Sequence, residues 1–212
     1  MFLCAMAAGL FITSANAQTI TTNPTGGIGI RAGVNFQNIN GKDAMGNDLE
    51  FDLMTGFHAG LTADVPIGTG FVLQPGVLYS RKGAEIAEDV KLKLNYIEIP
   101  VNFIYKPALG SGSMLLGFGP YLAFGIGGEM DGPGGSVDVD FVSDYDPNNT
   151  NPQLKRMDAG GNLIAGYEFA NKLSFQLNAQ LGLMDITPDY GDVNNKTSFK
   201  NTGFGLSLGY RF

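Results

Sequence analysis

The chain has 212 residues, which suits one domain or at most two, and 20 acidic against 13 basic residues give it a formal net charge of −7. This acidic balance argues against nucleic acid as a partner, because no basic surface is available to replace counterions. With 31 glycines, no tryptophan and only 16% charged residues, the composition is unusual for a soluble domain.

The first 17 residues predict a signal peptide over 1–17. Their apolar stretch is too short to span a membrane, and it is followed by Ala15-Asn16-Ala17, the small-x-small pattern that signal peptidase reads. A buried N-terminal helix is the alternative. Cys4 is the only cysteine and lies in this stretch, so a mature chain would have neither thiol catalysis nor a cysteine metal site.

Eight segments alternate apolar with small or polar side chains, which is the two-residue period of a β-strand. The fifth lies in an uncharged stretch long enough for a transmembrane helix, but Pro120 and the alternation around it indicate a strand. Pro75, Pro100 and Pro120 each remove a ladder donor, so local bulges are expected there. The predicted strands cover 28–36, 57–65, 71–82, 94–105, 116–127, 157–169, 173–183 and 202–212.

The connections between these strands alternate in length, which is typical of a bacterial outer-membrane barrel with an even strand number. The long polar connections cover 37–55, 83–91, 128–156 and 185–198, and the short ones cover 66–70, 106–113 and 170–172. The sequence therefore predicts an all-β, eight-stranded, antiparallel up-and-down transmembrane β-barrel over 28–212, after a periplasmic segment over 18–27. Its turns would be short on the periplasmic side and its loops long on the extracellular side.

The apolar face of each strand is predicted to contact lipid. Strands of about ten residues match a tilted membrane crossing, and the opposite face of Gly, Ser, Asn and Gln suits the filled lumen of a narrow barrel. Aromatic residues gather near both ends of the strands, as expected for rings at the two membrane interfaces. The predicted periplasmic aromatic girdle consists of Phe71, Tyr105, Tyr167, Phe169, Phe175, Tyr210 and Phe212.

Charged residues on the lumen face are predicted to form two separate ion-pair networks, because charge in so narrow a space is costly unless it is paired. The periplasmic network would contain Arg31, Asp64, Glu168 and Arg211, with Arg31 meeting Asp64 directly. The outer network would contain Lys82, Glu98 and Asp158. Both networks would close the lumen and leave no through-path of like charge.

Four quoted segments resemble the PorT-like outer-membrane β-barrel family of Bacteroidota-type bacteria. They are VLQPGVLYSRKG (72–83), LNYIEIPVNFIYK (94–106), LLGFGPYLAFGIGG (115–128) and FQLNAQLGLMDI (175–186). The resemblance covers about the whole mature chain and implies an eight-stranded barrel in the outer membrane, surrounded by lipid and lipopolysaccharide. It also implies insertion by the barrel assembly machinery, which recognises terminal aromatics such as Phe212. Fold resemblance implies little about activity.

Two features could carry chemistry. His58 is the only histidine and is predicted to point into the lumen, but no local motif places a serine beside it, so a hydrogen-bonded lumen histidine is favoured over a catalytic base. In the loop 128–156, Asp144 and Asp146 begin a series that resembles the opening of a calcium loop. Lys155 stands where a bidentate glutamate is needed, so a solvated acidic loop is favoured. No cofactor is expected.

The predicted function is therefore non-enzymatic: a small outer-membrane barrel that uses its surface loops for interaction or adhesion, or that has a structural role in the envelope or in secretion. The loop 128–156 is the best candidate for contact with a protein partner. A passive small-solute porin is the alternative, and an outer-membrane lipid-modifying enzyme is the third hypothesis. A soluble ligand-binding barrel is a weaker one.

Overall fold

The computed structural model describes residues 25–191 and 195–212. The signal peptide predicted over 1–17 and residues 18–24 of the predicted N-terminal segment lie outside this part of the chain. No helix in the described part is long and apolar enough to cross a membrane. The eight long strands are β1 (Gly27–Lys42), β2 (Met54–Gly68), β3 (Phe71–Ala87), β4 (Val90–Tyr105), β5 (Gly112–Gly132), β6 (Met157–Glu168), β7 (Leu173–Gly182) and β8 (Ser198–Arg211).

These strands form a closed ring in which every strand pairs antiparallel with its sequence neighbours. The ring closes between β1 and β8, where Gly29 lies opposite Arg211 and Phe36 lies opposite Phe204. Closure satisfies the backbone groups that an open edge would expose to lipid. The prediction of an all-β, eight-stranded, up-and-down barrel is confirmed.

The alternation of the sequence places large apolar side chains on the outside of this ring. Along β7, Leu173, Phe175 and Leu177 are 40%, 43% and 51% exposed, whereas Ser174 and Gln176 between them are buried. A belt of exposed apolar side chains around the whole wall is unfavourable in water and suits contact with acyl chains. The outer face of the wall is therefore the lipid-facing surface.

Aromatic residues lie near both ends of the lipid-facing belt. At the end with the short turns, six of the seven girdle residues form ring pairs: Phe71 with Tyr105 at 4.9 Å, Tyr167 with Phe169 at 5.0 Å, and Tyr210 with Phe212 at 5.4 Å between centroids. The seventh, Phe175, is 43% exposed. At the opposite end, Phe36 stacks on Phe204 at 5.2 Å.

The extracellular ends of the strands continue further than the sequence predicted. Residues 83–91 were expected to be a long loop, but β3 extends to Ala87 and β4 begins at Val90, so that only a tight turn with Asp89 at φ 60° joins them. The strands continue because the lumen-facing side chains Ala84 and Leu92 are buried there. The expectation of a loop over 83–91 was wrong, since apolar side chains remained on the inner face.

The expected bulges at the three prolines are also absent. Pro75 pairs with Val101, Pro100 with Tyr121 and Pro120 with Gly161, and the register runs through each of these positions without a shift. Shifts occur instead at 66–68, 85–87 and 95–96. Each proline therefore removes one ladder hydrogen bond, and the rest of the pairing holds the strand in register.

Short strands order the longer extracellular connections. Asp48–Leu49 pairs with the end of β1, Gly135–Asp138 folds back on the end of β5, and Asp140–Phe141 pairs in parallel with Gln153–Leu154. On the periplasmic side, Ala108–Leu109 pairs with the start of β5. Part of the loop predicted over 128–156 is thus regular structure.

An apolar cluster, which we call the outer plug, closes the extracellular end of the lumen. The strands and the connections 133–156 and 183–197 both contribute to it, so the loops are packed into the mouth of the barrel. Its buried members are Ile39, Ala84, Leu92, Leu94, Tyr96, Tyr121, Ala123, Val139, Leu154 and Ile186. Burial of this apolar surface stabilises the loops on the barrel.

Candidate functional site

The outer charge network surrounds a single lysine beneath the outer plug. The Lys82 Nζ lies 2.9 Å from Glu98 Oε2 and 3.2 Å from Asp158 Oδ2, and the lysine side chain has no exposed surface. The ammonium group also lies 4.1 Å from the centre of the Tyr121 ring, a cation–π contact. Asn201 donates a hydrogen bond to Asp158 at 3.0 Å. The structure thus brings together the three residues assigned to this network from the sequence.

The periplasmic network is built around a residue that the sequence analysis placed in a turn. The Lys106 Nζ lies 2.5 Å from Asp64 Oδ2 and 3.0 Å from Glu168 Oε2. Arg211 donates from Nη2 to Glu168 Oε1 at 2.6 Å and lies 3.8 Å from Asp64. Gln74 also donates to Asp64, at 2.7 Å. Lys106 could have been recognised because it keeps the lumen-facing parity of β4 after that strand has ended.

Arg31 does not meet Asp64, and this part of the expectation is corrected. Across β1 and β2, Arg31 lies opposite Gly60, whereas Asp64 lies opposite Gly27. The two residues are therefore four positions apart in height, about 13 Å along a strand. The Arg31 Nη1 donates a long hydrogen bond of 3.5 Å to Gln176, and its Nε has no partner in the described part of the chain.

Arg31 separates the two networks and balances the charge of the lumen. The lumen holds the cations Arg31, Lys82, Lys106 and Arg211 and the anions Asp64, Glu98, Asp158 and Glu168. The periplasmic network is neutral, the outer network carries one excess carboxylate, and Arg31 supplies the compensating charge. Arg31 lines two cavities, of about 30 and 20 Å³. Such volumes admit a few water molecules and no larger solute.

His58 is the centre of a row of hydrogen bonds on the lumen wall. Its Nδ1 donates to Asn35 Oδ1 at 2.5 Å, and its Nε2 accepts from the Ser207 hydroxyl at 2.7 Å. Asn178 donates to the same Ser207 oxygen at 2.8 Å. No local sequence motif places a serine beside His58, but Ser207 reaches it from β8, because β1 pairs with both β2 and β8. The row has the order of a nucleophile, base and orienting group, but all three residues are buried.

The extracellular connections are joined to each other above the outer plug. The Tyr145 amide donates to the Asp189 carbonyl at 2.8 Å, and the Asp189 amide donates to the Ser143 carbonyl at 2.9 Å. The rings of Tyr145 and Tyr190 lie 4.9 Å apart, and both are exposed. This contact links the connection after β5 with that after β7, and it displays two aromatic rings on the extracellular surface.

Acidic side chains in these connections are held by hydrogen bonds within the loops. Asp140 accepts from Asn149 at 2.8 Å and Asn151 at 3.0 Å, which lowers the pKa of its carboxyl. Asp146 accepts from the amide of Asn148 at 2.9 Å, an Asx turn. Within 25–191 and 195–212, no three His, Cys, Asp or Glu side chains are grouped closely enough to hold a metal ion. Asp146, the second carboxylate of the calcium-like series, stabilises a turn within its own loop.

Comparison with known proteins agrees with this architecture. Residues 16–188 match the family described as Outer membrane protein beta-barrel domain, and no curated protein matches the chain. The outer membrane enzyme PagL is 13% identical over 87% of this chain and 99% of its own, with a TM-score of 0.53. Neisserial surface protein A (NspA) is 13% identical over 89% of this chain and 100% of its own, with a TM-score of 0.50. At this identity the likeness shows the fold alone.

Proposed function

Since this chain belongs to the outer membrane protein beta-barrel domain family and lies in the bacterial outer membrane, we propose that it is a non-conducting, non-enzymatic barrel that presents ordered extracellular loops for interaction. Its four quoted segments support the finer assignment to the PorT-like type. The observation that carries the proposal is the outer plug, which closes the lumen and orders the loops through the same side chains.

The paired tyrosines are the best candidate for the contact surface. Tyr145 and Tyr190 are 43% and 36% exposed, and tyrosine is enriched in protein interfaces because it combines a large apolar ring with a hydroxyl group. Neighbouring Asp144 and Asp189 add negative charge without a salt bridge to a described residue. A protein with a basic, aromatic-binding surface would complement it.

Complementation of a deletion strain tests this proposal. The first step compares the surface proteome and the secreted proteins of the deletion strain with those of the wild type. The double variant Tyr145→Ala/Tyr190→Ala should fail to restore the wild-type surface proteome and secreted proteins, although it reaches the outer membrane in normal amount. The control variant Leu53→Ala removes an exposed side chain from the connection after β1 and should complement fully. Full complementation by the tyrosine double variant would refute the proposal.

The porin hypothesis makes the opposite prediction about conductance. Purified wild-type protein in planar bilayers should give no reproducible single-channel events, because the lumen cavities admit only a few waters and the outer plug lies above them. Reproducible conductance that persists in independent preparations would favour the porin instead.

The hydrogen-bonded row of Ser207, His58 and Asn35 supports an enzyme as the second candidate. Its chemistry would be transfer of an acyl group from an ester to Ser207 Oγ, in which the acyl–oxygen bond of the ester breaks and His58 passes the hydroxyl proton to the departing alcohol. The enclosed position of the row argues against entry of a substrate. We therefore rank this enzyme hypothesis below interaction through the extracellular loops. Incubation with a small organophosphorus fluoride should leave the wild type unlabelled; labelling that disappears in Ser207→Ala would establish a reactive serine.

A further inference from the structure

The extracellular ends of β3, β4 and β5 form a small sheet with the strand Gly135–Asp138, which we call the edge strand. The β3 side of this sheet is covered, because the amides of Asp52 and Glu85 each donate to the carbonyl of the other, at 2.9 and 3.1 Å. On the opposite side, the edge strand pairs with β5 and with no other strand in the described part of the chain. One side of the sheet therefore ends without a partner.

The free edge presents backbone groups of Ser136 and Asp138. The Val139 amide donates to the Gly128 carbonyl at 3.0 Å, so these two residues form a hydrogen-bonded pair. Because such pairs alternate with pairs that share no hydrogen bond, Ser136 and Asp138 point their amides and carbonyls away from β5. Both residues are exposed. Their backbone donors and acceptors are thus available to an added strand.

Salt bridges on the outer face of this sheet leave an acidic residue at the free edge. Lys93 on β4 forms salt bridges with Glu129 and Asp131 on β5. Asp138 lies directly opposite Glu129, but it forms no salt bridge with a described residue. Acidic side chains at opposite positions repel each other. A cation on an added strand would lie beside Asp138 and relieve this repulsion.

The inner face of the sheet continues the apolar surface of the outer plug. Val139 is buried in the plug and Met130 packs against it, whereas Val137, which lies opposite Met130, is exposed. Free strand edges are usually blocked by lysine, by proline or by a covering segment. The edge strand contains neither of these residues. An apolar side chain on an added strand would cover Val137.

We propose that the edge strand binds an extended segment of a partner protein in which basic and apolar side chains alternate. The segment would add a strand to the sheet, with lysine or arginine opposite Asp138 and an apolar side chain opposite Val137. Main-chain hydrogen bonds would supply the attraction, and the alternation would supply the specificity. The inference rests on the proposed role of the extracellular loops in interaction, but it assigns a surface other than the tyrosine pair.

Peptides that alternate lysine with valine test the strand pairing. Binding of the fluorescein-labelled peptide to the purified protein is measured by anisotropy in a zwitterionic detergent. With lysine opposite Asp138, the lysine amides face the edge strand and the valine amides face away. Methylation of the lysine amides should therefore weaken binding about tenfold, whereas methylation of the valine amides should change it less than about twofold. The two methylated peptides have the same composition and charge, so each is the control for the other.

Charge exchange tests the contact with Asp138. Asp138→Lys should weaken binding of the lysine–valine peptide about tenfold and create binding of a glutamate–valine peptide. Asp138→Asn gives a graded second variant, and the heat-resistant folded band on a gel verifies the fold of each. Glu50→Lys makes the same change of charge in the connection after β1 and should leave both affinities unchanged. Tyr145→Ala/Tyr190→Ala should also bind the lysine–valine peptide normally, so this inference and the proposed function can fail separately.

Three results would overturn the proposal. The first is no binding of the unmethylated lysine–valine peptide at up to about 1 mM. The second is equal binding of the two methylated peptides, or a peptide preference that Asp138→Lys leaves unchanged, because charge alone would then explain the attraction. The third is a dimer of the purified protein that Ser136→Cys locks as a disulfide, because a second copy of the chain would then cover the edge.

Discussion

Replacing Lys106 by methionine should destabilise the folded barrel more than any exposed charge change. Lys106 is the shared counterion of Asp64 and Glu168, at 2.5 and 3.0 Å, and its side chain is 6% exposed. Methionine keeps most of the apolar stem but removes the ammonium group. Within the described part of the chain, Arg211 would then be the one cation left in a salt bridge with these two buried carboxylates.

The expected cost is about 3–5 kcal/mol, the usual effect of removing one partner from a buried ion pair. The Asp64 side chain is 4% exposed and the Glu168 side chain 11%, so water can compensate little of the lost interaction. Adding Asp64→Asn removes one of the two carboxylates and restores neutrality. The double variant should therefore be less destabilised than the sum of the single changes by about 1–3 kcal/mol.

Urea unfolding in lipid vesicles, read as the heat-resistant folded band on a gel, measures these free energies. The matched control is Lys91→Met, which removes an exposed pair with Glu85 at 3.5 Å and should cost less than about 1 kcal/mol. A Lys106→Met barrel within about 1 kcal/mol of the wild type, or strict additivity with Asp64→Asn, would refute the assignment of Lys106 as the shared counterion.

Three further predictions use the same folded-band assay or limited proteolysis. Gly33→Ala would place a β-carbon 2.6 Å from His58 Cε1 and should cost about 1–3 kcal/mol, whereas Gly161→Ala enters open space and should leave the unfolding midpoint unchanged. Ser207→Ala deprives His58 of a hydrogen-bond partner and should cost about 1–3 kcal/mol, and an unchanged midpoint would contradict the hydrogen bond. Burial opposes ionisation of Asp185, but amide and hydroxyl hydrogen bonds outweigh it and lower its pKa. The stabilisation from this carboxylate is complete above about pH 4 and should fade as pH falls through the lowered pKa, with faster proteolysis of the connection after β7; Asp185→Asn should abolish this pH dependence.

The sequence alone determined the fold, because the alternation of side chains is a local property of a strand. Parity assigned Leu173, Phe175 and Leu177 to the lipid face and identified eight strands, and the short connections after the second, fourth and sixth strands indicated their direction. Parity also assigned Lys82 and Glu98 to the lumen, where the structure joins them. The same rule assigns Lys106 to the lumen, but this residue lies one position beyond the end of β4 and was therefore placed in a turn.

Only the tertiary structure decided which lumen residues meet. Contacts across a barrel depend on the register of every strand pair and on the shear with which the ring closes, and neither is encoded in the period of one strand. This is why Asp64 contacts Lys106 and not Arg31, and why Ser207 reaches His58 from the far end of the chain. The outer plug arose in the same way, because closure brought lumen-facing Leu94 and loop residue Leu154 into one buried cluster.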